Sequence, residues 1–194
     1  MIVVALGNPG HEYVRTRHNI AWQMLEELSF AYELNWQEKF KGEYASIRLP
    51  GTDEKSYFLK PLTFMNLSGQ SIVALMQFFK LKIEDLLIVH DDLEMAYGTI
   101  GFKRGGGLGG HNGLRSTTAQ LGTRDFNRLR MGISRPSHKD ITSYVLGPFS
   151  QEEQIALPTY LEETAKLLEL CLTDGFEAME KPYKKKKVIQ DIPK

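Results

Sequence analysis

The sequence predicts an α/β fold, a single domain in which a twisted mixed β-sheet is surrounded by helices. Three observations lead there. Two apolar runs, "IVVAL" at residues 2–6 and "DLLIVH" at 85–90, are continuous rather than alternating, as in strands buried on both faces. Segments with helical spacing separate the strand candidates along the whole chain. One neighbouring pair of strands is joined by a turn short enough for antiparallel pairing. The 194 residues are one domain's worth and can bury a substantial core. Neither an internal repeat nor an interdomain linker is visible.

The first strand leaves through "GNPG", a turn sequence, towards "HEYVRTRHN". Ile20, Met24, Leu25, Leu28 and Tyr32 then share one helical face. "EYASIRL" (43–49) alternates, and "PGTDEK" turns it back into "SYFLKP". Ile72, Leu75, Met76 and Phe79 repeat at i, i+3, i+4 and i+7, marking a helix that begins near Ser68. "DDLEMAYG" is read as the loop beyond the second buried strand. "TIGFKR" is a short strand entering "GGGLGG", and "HNGLRSTTAQLG" opens a short helix. In "RLRMGIS" (128–134) the alternation turns Arg128 and Arg130 to one face. Leu161, Ala165, Leu168 and Leu172 line a last long helix, with Pro158 near its first turn or kinking it. Residues 181–194 are expected to form a mobile basic tail.

Composition narrows the class. No apolar run approaches the ~20 residues that cross a bilayer, and "MIVVALGNPG" lacks the basic start of a signal peptide. Cys171 is the one cysteine, which excludes an internal disulfide and suits a reducing compartment. A cytoplasmic protein without a membrane partner is expected. Formal net charge is zero, yet charge is unevenly distributed. Between Lys103 and Lys139 stand eight Lys or Arg and one acid, Asp125; between Gln151 and Glu180 stand eight acids and one base, Lys166. Such a chain carries a basic face although the sum vanishes.

Four polar clusters fall at ends of predicted elements: Asn8 with His18 and Asn19, Asn66 in "TFMNLSG", His90-Asp91-Asp92, and His111-Asn112. Strand ends are where sites form in open α/β sheets. Each cluster also has a purely structural explanation, Asn8 as a turn residue and Asn66 or Asn112 as a helix N-cap. With no G-x-S-x-G elbow, and Cys171 in an acidic helix, an activated nucleophile is disfavoured. A histidine paired with an aspartate suffices for general-base attack by water, and side-chain amides can bind a carbonyl and its growing charge. A metal site from His90, Asp91, Asp92 and His111 is the rival chemistry, without a recognised ligand spacing. "GGGLGGHNG" lacks the Lys-Ser/Thr of a P-loop and a ribose-binding acid, so a dinucleotide is disfavoured. With Lys103, Arg104, Arg128 and Arg130 alongside, the glycine loop suits a phosphate instead.

Taken together, "LGNPGHEYVRTRHN", "FKGEYA", "KPLTFMNLSG", "HDDLEMAYGTIGFKRGGGLGGHNGLRS", "FNRLRMGISRP" and "YVLGPFS" resemble bacterial peptidyl-tRNA hydrolase, in order and at compatible spacing over residues 6–149. The resemblance implies a monomeric, metal-free esterase without cofactor, acting on the ester between a peptide and the 3′ ribose of tRNA. It implies His18 as general base and Asp91 as the carboxylate that holds it. Asn66 and Asn112 match substrate-binding amides, and Tyr13 and Phe64 match channel-lining positions. Asn8 matches a residue that distinguishes N-blocked peptidyl-tRNA from free aminoacyl-tRNA, and Lys103 and Arg130 match a pair that clamps the 5′ phosphate of tRNA. Two stretches depart from the family pattern: Ile20-Ala21-Trp22 after His18-Asn19, and Glu94-Met95-Ala96-Tyr97 after the aspartates. The alternative is a non-hydrolytic RNA-binding relative of the same fold; a complete set of His18, Asp91, Asn8, Asn66 and Asn112 favours the enzyme.

Overall fold

The computed structural model describes residues 1–52, 54–137 and 140–189. Among the described residues, eight strands form one mixed sheet in the order β2-β3-β4-β1-β5-β7-β6-β8, with β2 (Gln37–Lys39) at one edge. The parallel centre consists of β4 (Ser56–Pro61), β1 (Ile2–Ala5), β5 (Leu86–Asp92) and β7 (Asn127–Gly132). β3 (Gly42–Ile47) continues antiparallel on one side and β6 (Thr99–Arg104) on the other.

The apolar runs are continuous because both sheet faces are covered. Val3, Ala5, Leu87 and Val89 pack with α1 (Ile20–Leu25) and α5 (Gln151–Asp174); Ile2, Val4, Leu6 and Ile88 pack against α2 (Ser68–Phe79) and α3 (Asn112–Leu121). The two short helices α4 (Ile141–Val145) and α6 (Phe176–Glu180) complete the shell.

Four differences from the sequence reading have physical causes. The helix expected through Tyr32 ends after Leu25, and Tyr32 is exposed rather than on the core face. β5 runs through Asp92 instead of ending at His90, because Asp91 and Asp92 pair with Met131 and Gly132 of β7. Pro158 lies in the second turn of α5, which continues past it. Tyr183 to Ile189, expected to be mobile, instead follow the sheet edge: β8 (Lys186–Lys187) pairs with Thr99 and Ile100, and Ile189 is buried. Residues 190–194 lie outside the described residues.

α2 and α3 carry two of the candidate amides at or just before their starts, and their spacing depends on Gly69. A Cβ there would stand 2.3 Å from the Ser116 carbonyl oxygen, and the Gly69 N–H donates to Ser116 Oγ at 3.0 Å. A backbone atom cannot retreat as a side chain can. Gly69→Ala is therefore expected to destabilise the protein by about 1–3 kcal/mol in urea unfolding, as overpacking does; an unchanged midpoint would show that the helices separate freely.

Candidate active site

The loop after β1 returns to the sheet and is buckled down on both sides of its histidine. Arg17, buried, donates to Glu153 at 2.6 Å and to the Pro148 carbonyl, and stacks on Tyr144 with 4.1 Å to the ring centroid. Glu153 belongs to the capping box that starts α5 with Ser150. On the other side Asn19, fully buried, clamps the loop to itself: its Oδ1 accepts from Asn8 N–H and its Nδ2 donates to the Asn8 carbonyl, both at 2.9 Å. Trp22, one of the departures from the family pattern, donates from Nε1 to the Ala5 carbonyl. His18 is thus presented by a short 3-10 turn (Arg17–Asn19) with little freedom to swing.

His18 Nδ1 meets Asp91 Oδ1 at 2.8 Å, and His111 Nε2 meets the same oxygen at 2.9 Å. The protons can be assigned from the surroundings. His111 is the N-cap of α3, and its Nδ1 accepts from Gly113 and Leu114 N–H, so its proton sits on Nε2 and is donated to Asp91. Asp91 accepts from His18 Nδ1–H as well, which leaves His18 Nε2 with its lone pair. Burial lowers the His18 pKa, but the Asp91 charge and hydrogen bond outweigh it and the net shift is upward. Burial raises the Asp91 pKa, and the two imidazoles overcome this and hold the carboxyl well below the usual carboxylate range. His90 points elsewhere: its Nδ1 donates to the Asp91 carbonyl, and burial first, then His111, keeps it neutral.

All nine residues singled out by sequence and resemblance line one cavity of about 640 Å³: His18, Asp91, Asn8, Tyr13, Phe64, Asn66, Asn112, Lys103 and Arg130. Neither Asn66 nor Asn112 is a helix cap. Leu67 precedes α2 without a side-chain cap, His111 caps α3, and among the described residues the two amides have no hydrogen-bond partner. Asn8 has a structural bond too, since its Oδ1 accepts from Met65 N–H at 2.8 Å and ties the His18 loop to the Asn66 turn.

The basic face is narrower than the sequence suggested. Arg104 turns away, bonding Asn127 and Glu177. Arg128 is buried, and its guanidinium donates to the carbonyls of Gly106, Gly107 and Arg124; burial and nearby Arg130 push it down to about 10. Those two glycines therefore direct carbonyl oxygens at a cation. Lys103 and Arg130 remain on the cavity, with Arg130 Nη1 3.3 Å from Asp92 Oδ2.

Sequence reasoning set Asn19 and His111 in the polar clusters, and His111 in the rival metal set, but gave none of His111, Asn19 and Arg17 the role seen here. The signal for His111 was its place ahead of "NG" at a helix start; that for Arg17 and Asn19 was their flanking of His18. Among the described residues, His18, Asp91 and His111 have ligand atoms within 4.8 Å of one another, close enough to suit a cation. This is not the set His90, Asp91, Asp92 and His111 weighed from sequence. Their hydrogen bonds already converge on one Asp91 oxygen, so a cation would have to replace both.

The sequence profile described as peptidyl-tRNA hydrolase matches residues 2–191. The chain belongs to the peptidyl-tRNA hydrolase family. It is 43% identical over 189 residues to the peptidyl-tRNA hydrolase of Geotalea uraniireducens, covering 97% of this chain and 98% of that one. Identity to the peptidyl-tRNA hydrolase of Bacillus cytotoxicus is 44% over 177 residues, covering 90% and 94%. The crystal structure of peptidyl-tRNA hydrolase from Acinetobacter baumannii superposes with a TM-score of 0.85 at 34% identity, over 94% of this chain and 93% of that one.

Proposed function

We propose that the chain hydrolyses the ester between a peptidyl or N-blocked aminoacyl group and the 3′ ribose of tRNA. The observation that carries the mechanism is the 2.8 Å contact between His18 Nδ1 and Asp91 Oδ1 in the wall of the cavity. His18 Nε2 takes a proton from water as the oxygen attacks the ester carbonyl carbon. The Asp91 carboxylate fixes the tautomer and stabilises the imidazolium that forms. The amides of Asn66 and Asn112 donate to the peptide carbonyl and to the negative charge that grows on it. As the intermediate collapses, His18 returns the proton to the departing ribose oxygen.

Asn8 reads the blocked amino group, Tyr13 and Phe64 form walls for the peptide, and Lys103 and Arg130 hold the 5′ phosphate. The protein acts as a monomer in the cytoplasm, with peptidyl-tRNA as its partner. No helix among the described residues is long and apolar enough to cross a membrane. The alternative, a non-hydrolytic RNA-binding protein of the same fold, finds no support in the comparisons.

Release of N-acetylaminoacyl groups from charged tRNA tests this reading, and full activity is expected in EDTA. Lys103→Gln should raise KM and reduce the salt slope of tRNA binding by about 1. No release from any N-blocked aminoacyl-tRNA would sink the proposal, and loss of rate in EDTA would return the metal chemistry.

A further inference from the structure

The lysine run Lys184-Lys185-Lys186-Lys187 is not absorbed by the fold's core or by the cavity, and all four side chains are exposed. Their backbone is nevertheless held. The Phe102 N–H donates to the Tyr183 carbonyl and the Val188 N–H to the Gly98 carbonyl, both at 2.8 Å, bracketing the run along the free edge of β6. Thr99 pairs with Lys187 and Ile100 with Lys186.

β6 is also the strand that carries Lys103, and its other neighbour carries Arg130. Gly101 pairs with Arg130 across β6 and β7. Because Gly101 has no side chain, the Arg130 guanidinium reaches over β6 and donates from Nη2 to the Lys184 carbonyl at 3.4 Å. A Cβ on Gly101 would stand 2.5 Å from that carbonyl oxygen and 3.0 Å from Nη2. Arg130 therefore touches the cavity at one end and the lysine run at the other. The acids that precede the run, Glu177 and Glu180, are turned to Arg104. Lys186 lies over the Tyr183 ring, 4.7 Å from its centroid, a contact that leaves its charge intact.

We propose that Lys184, Lys185 and Lys186 form a second phosphate-contacting surface, continuous through Arg130 with Lys103, that grips the sugar–phosphate backbone of the tRNA body. The inference rests on the reading of the chain as a peptidyl-tRNA hydrolase. Neighbouring strands stand about 4.8 Å apart, so an RNA backbone that passes Arg130 and Lys103 and crosses the sheet edge meets cations over more than one phosphate. Lys186, paired with buried Ile100, extends from the far side of that edge. RNA is the occupant that continuity with the cavity selects, because a backbone entering beside Lys103 runs onto the strand next to it.

The test compares the native chain with a triple variant, Lys184→Gln with Lys185→Gln and Lys186→Gln, and with the matching triple arginine variant. Binding of uncharged tRNA and cleavage of N-acetylaminoacyl-tRNA are followed from low to high KCl, alongside cleavage of an N-acetylaminoacyl ester of a CCA trinucleotide. The glutamine variant should bind tRNA more weakly, with the slope of log Kd against log [KCl] reduced by about 1 or more. Its rate on the trinucleotide ester should equal the native rate, and the arginine variant should bind as the native chain does. An unchanged slope and KM in the glutamine variant overturns the proposal, as does equal loss in the arginine variant or on the trinucleotide. Loss of binding to phosphatidylserine vesicles with unaltered tRNA binding overturns it in favour of a lipid surface. A native chain that cleaves tRNA substrates while the variants behave identically refutes this inference alone; a native chain that cleaves none refutes the reading beneath it.

Discussion

Replacing His18 with alanine is expected to lower turnover of N-acetylaminoacyl-tRNA by about 10²-fold or more, with tRNA affinity little changed. In the proposed mechanism the imidazole's Nε2, left with its lone pair by the bond from Nδ1 to Asp91, takes the proton from water. His18 is held by its neighbours rather than holding them: Arg17 and Asn19 make the loop's anchoring bonds. The alanine variant should consequently fold, and circular dichroism and tRNA binding together separate lost chemistry from lost structure. Turnover within a few-fold of native would remove His18 from the role of base.

Asp91→Asn gives the second large effect, and its geometry makes it a clean experiment. Both imidazoles donate to the same oxygen, Oδ1, so an asparagine with its carbonyl oxygen in that place keeps both hydrogen bonds and removes only the charge. In the native protein the carboxylate raises the His18 pKa against the opposing effect of burial. Without it the imidazole is harder to protonate and a weaker base. The acidic limb of kcat/KM should therefore move to lower pH, while the plateau falls by about 10-fold or more. An acidic limb that stays in place would mean that another group sets it.

The parallel centre and both buried faces were legible because "IVVAL" and "DLLIVH" are too apolar to be half-exposed. The residues at loop ends were legible for a related reason: histidine, aspartate and asparagine stand out where turn residues alone would suffice. What the chain concealed depends on pairing between distant segments. Asp91 reads as a loop residue until β7 extends its strand by two, and β2 (Gln37–Lys39) is too polar to announce itself. Its hairpin turn uses Phe40 and Lys41 at positive φ where Asn-Gly would have signalled it. Arg104 and Arg128 were counted with the basic face because charge can be read from a sequence while direction cannot. His111 was noticed but its role was not, because capping and hydrogen bonding to Asp91 use its two nitrogens separately. The lysine run looked like a tail since nothing local indicates the strand edge that receives it.

The bond from Arg17 to Glu153 spans 136 positions in the chain. The segment that presents the base is made early, while its anchor on α5 is made late. A polypeptide still leaving the ribosome has Asp91 available well before Glu153, so the constellation can be assembled in part but not braced. We expect hydrolytic competence to arrive only after Glu153 has emerged, as a later step of folding than the meeting of His18 with Asp91. Chains halted before Glu153 emerges should be inert towards peptidyl-tRNA.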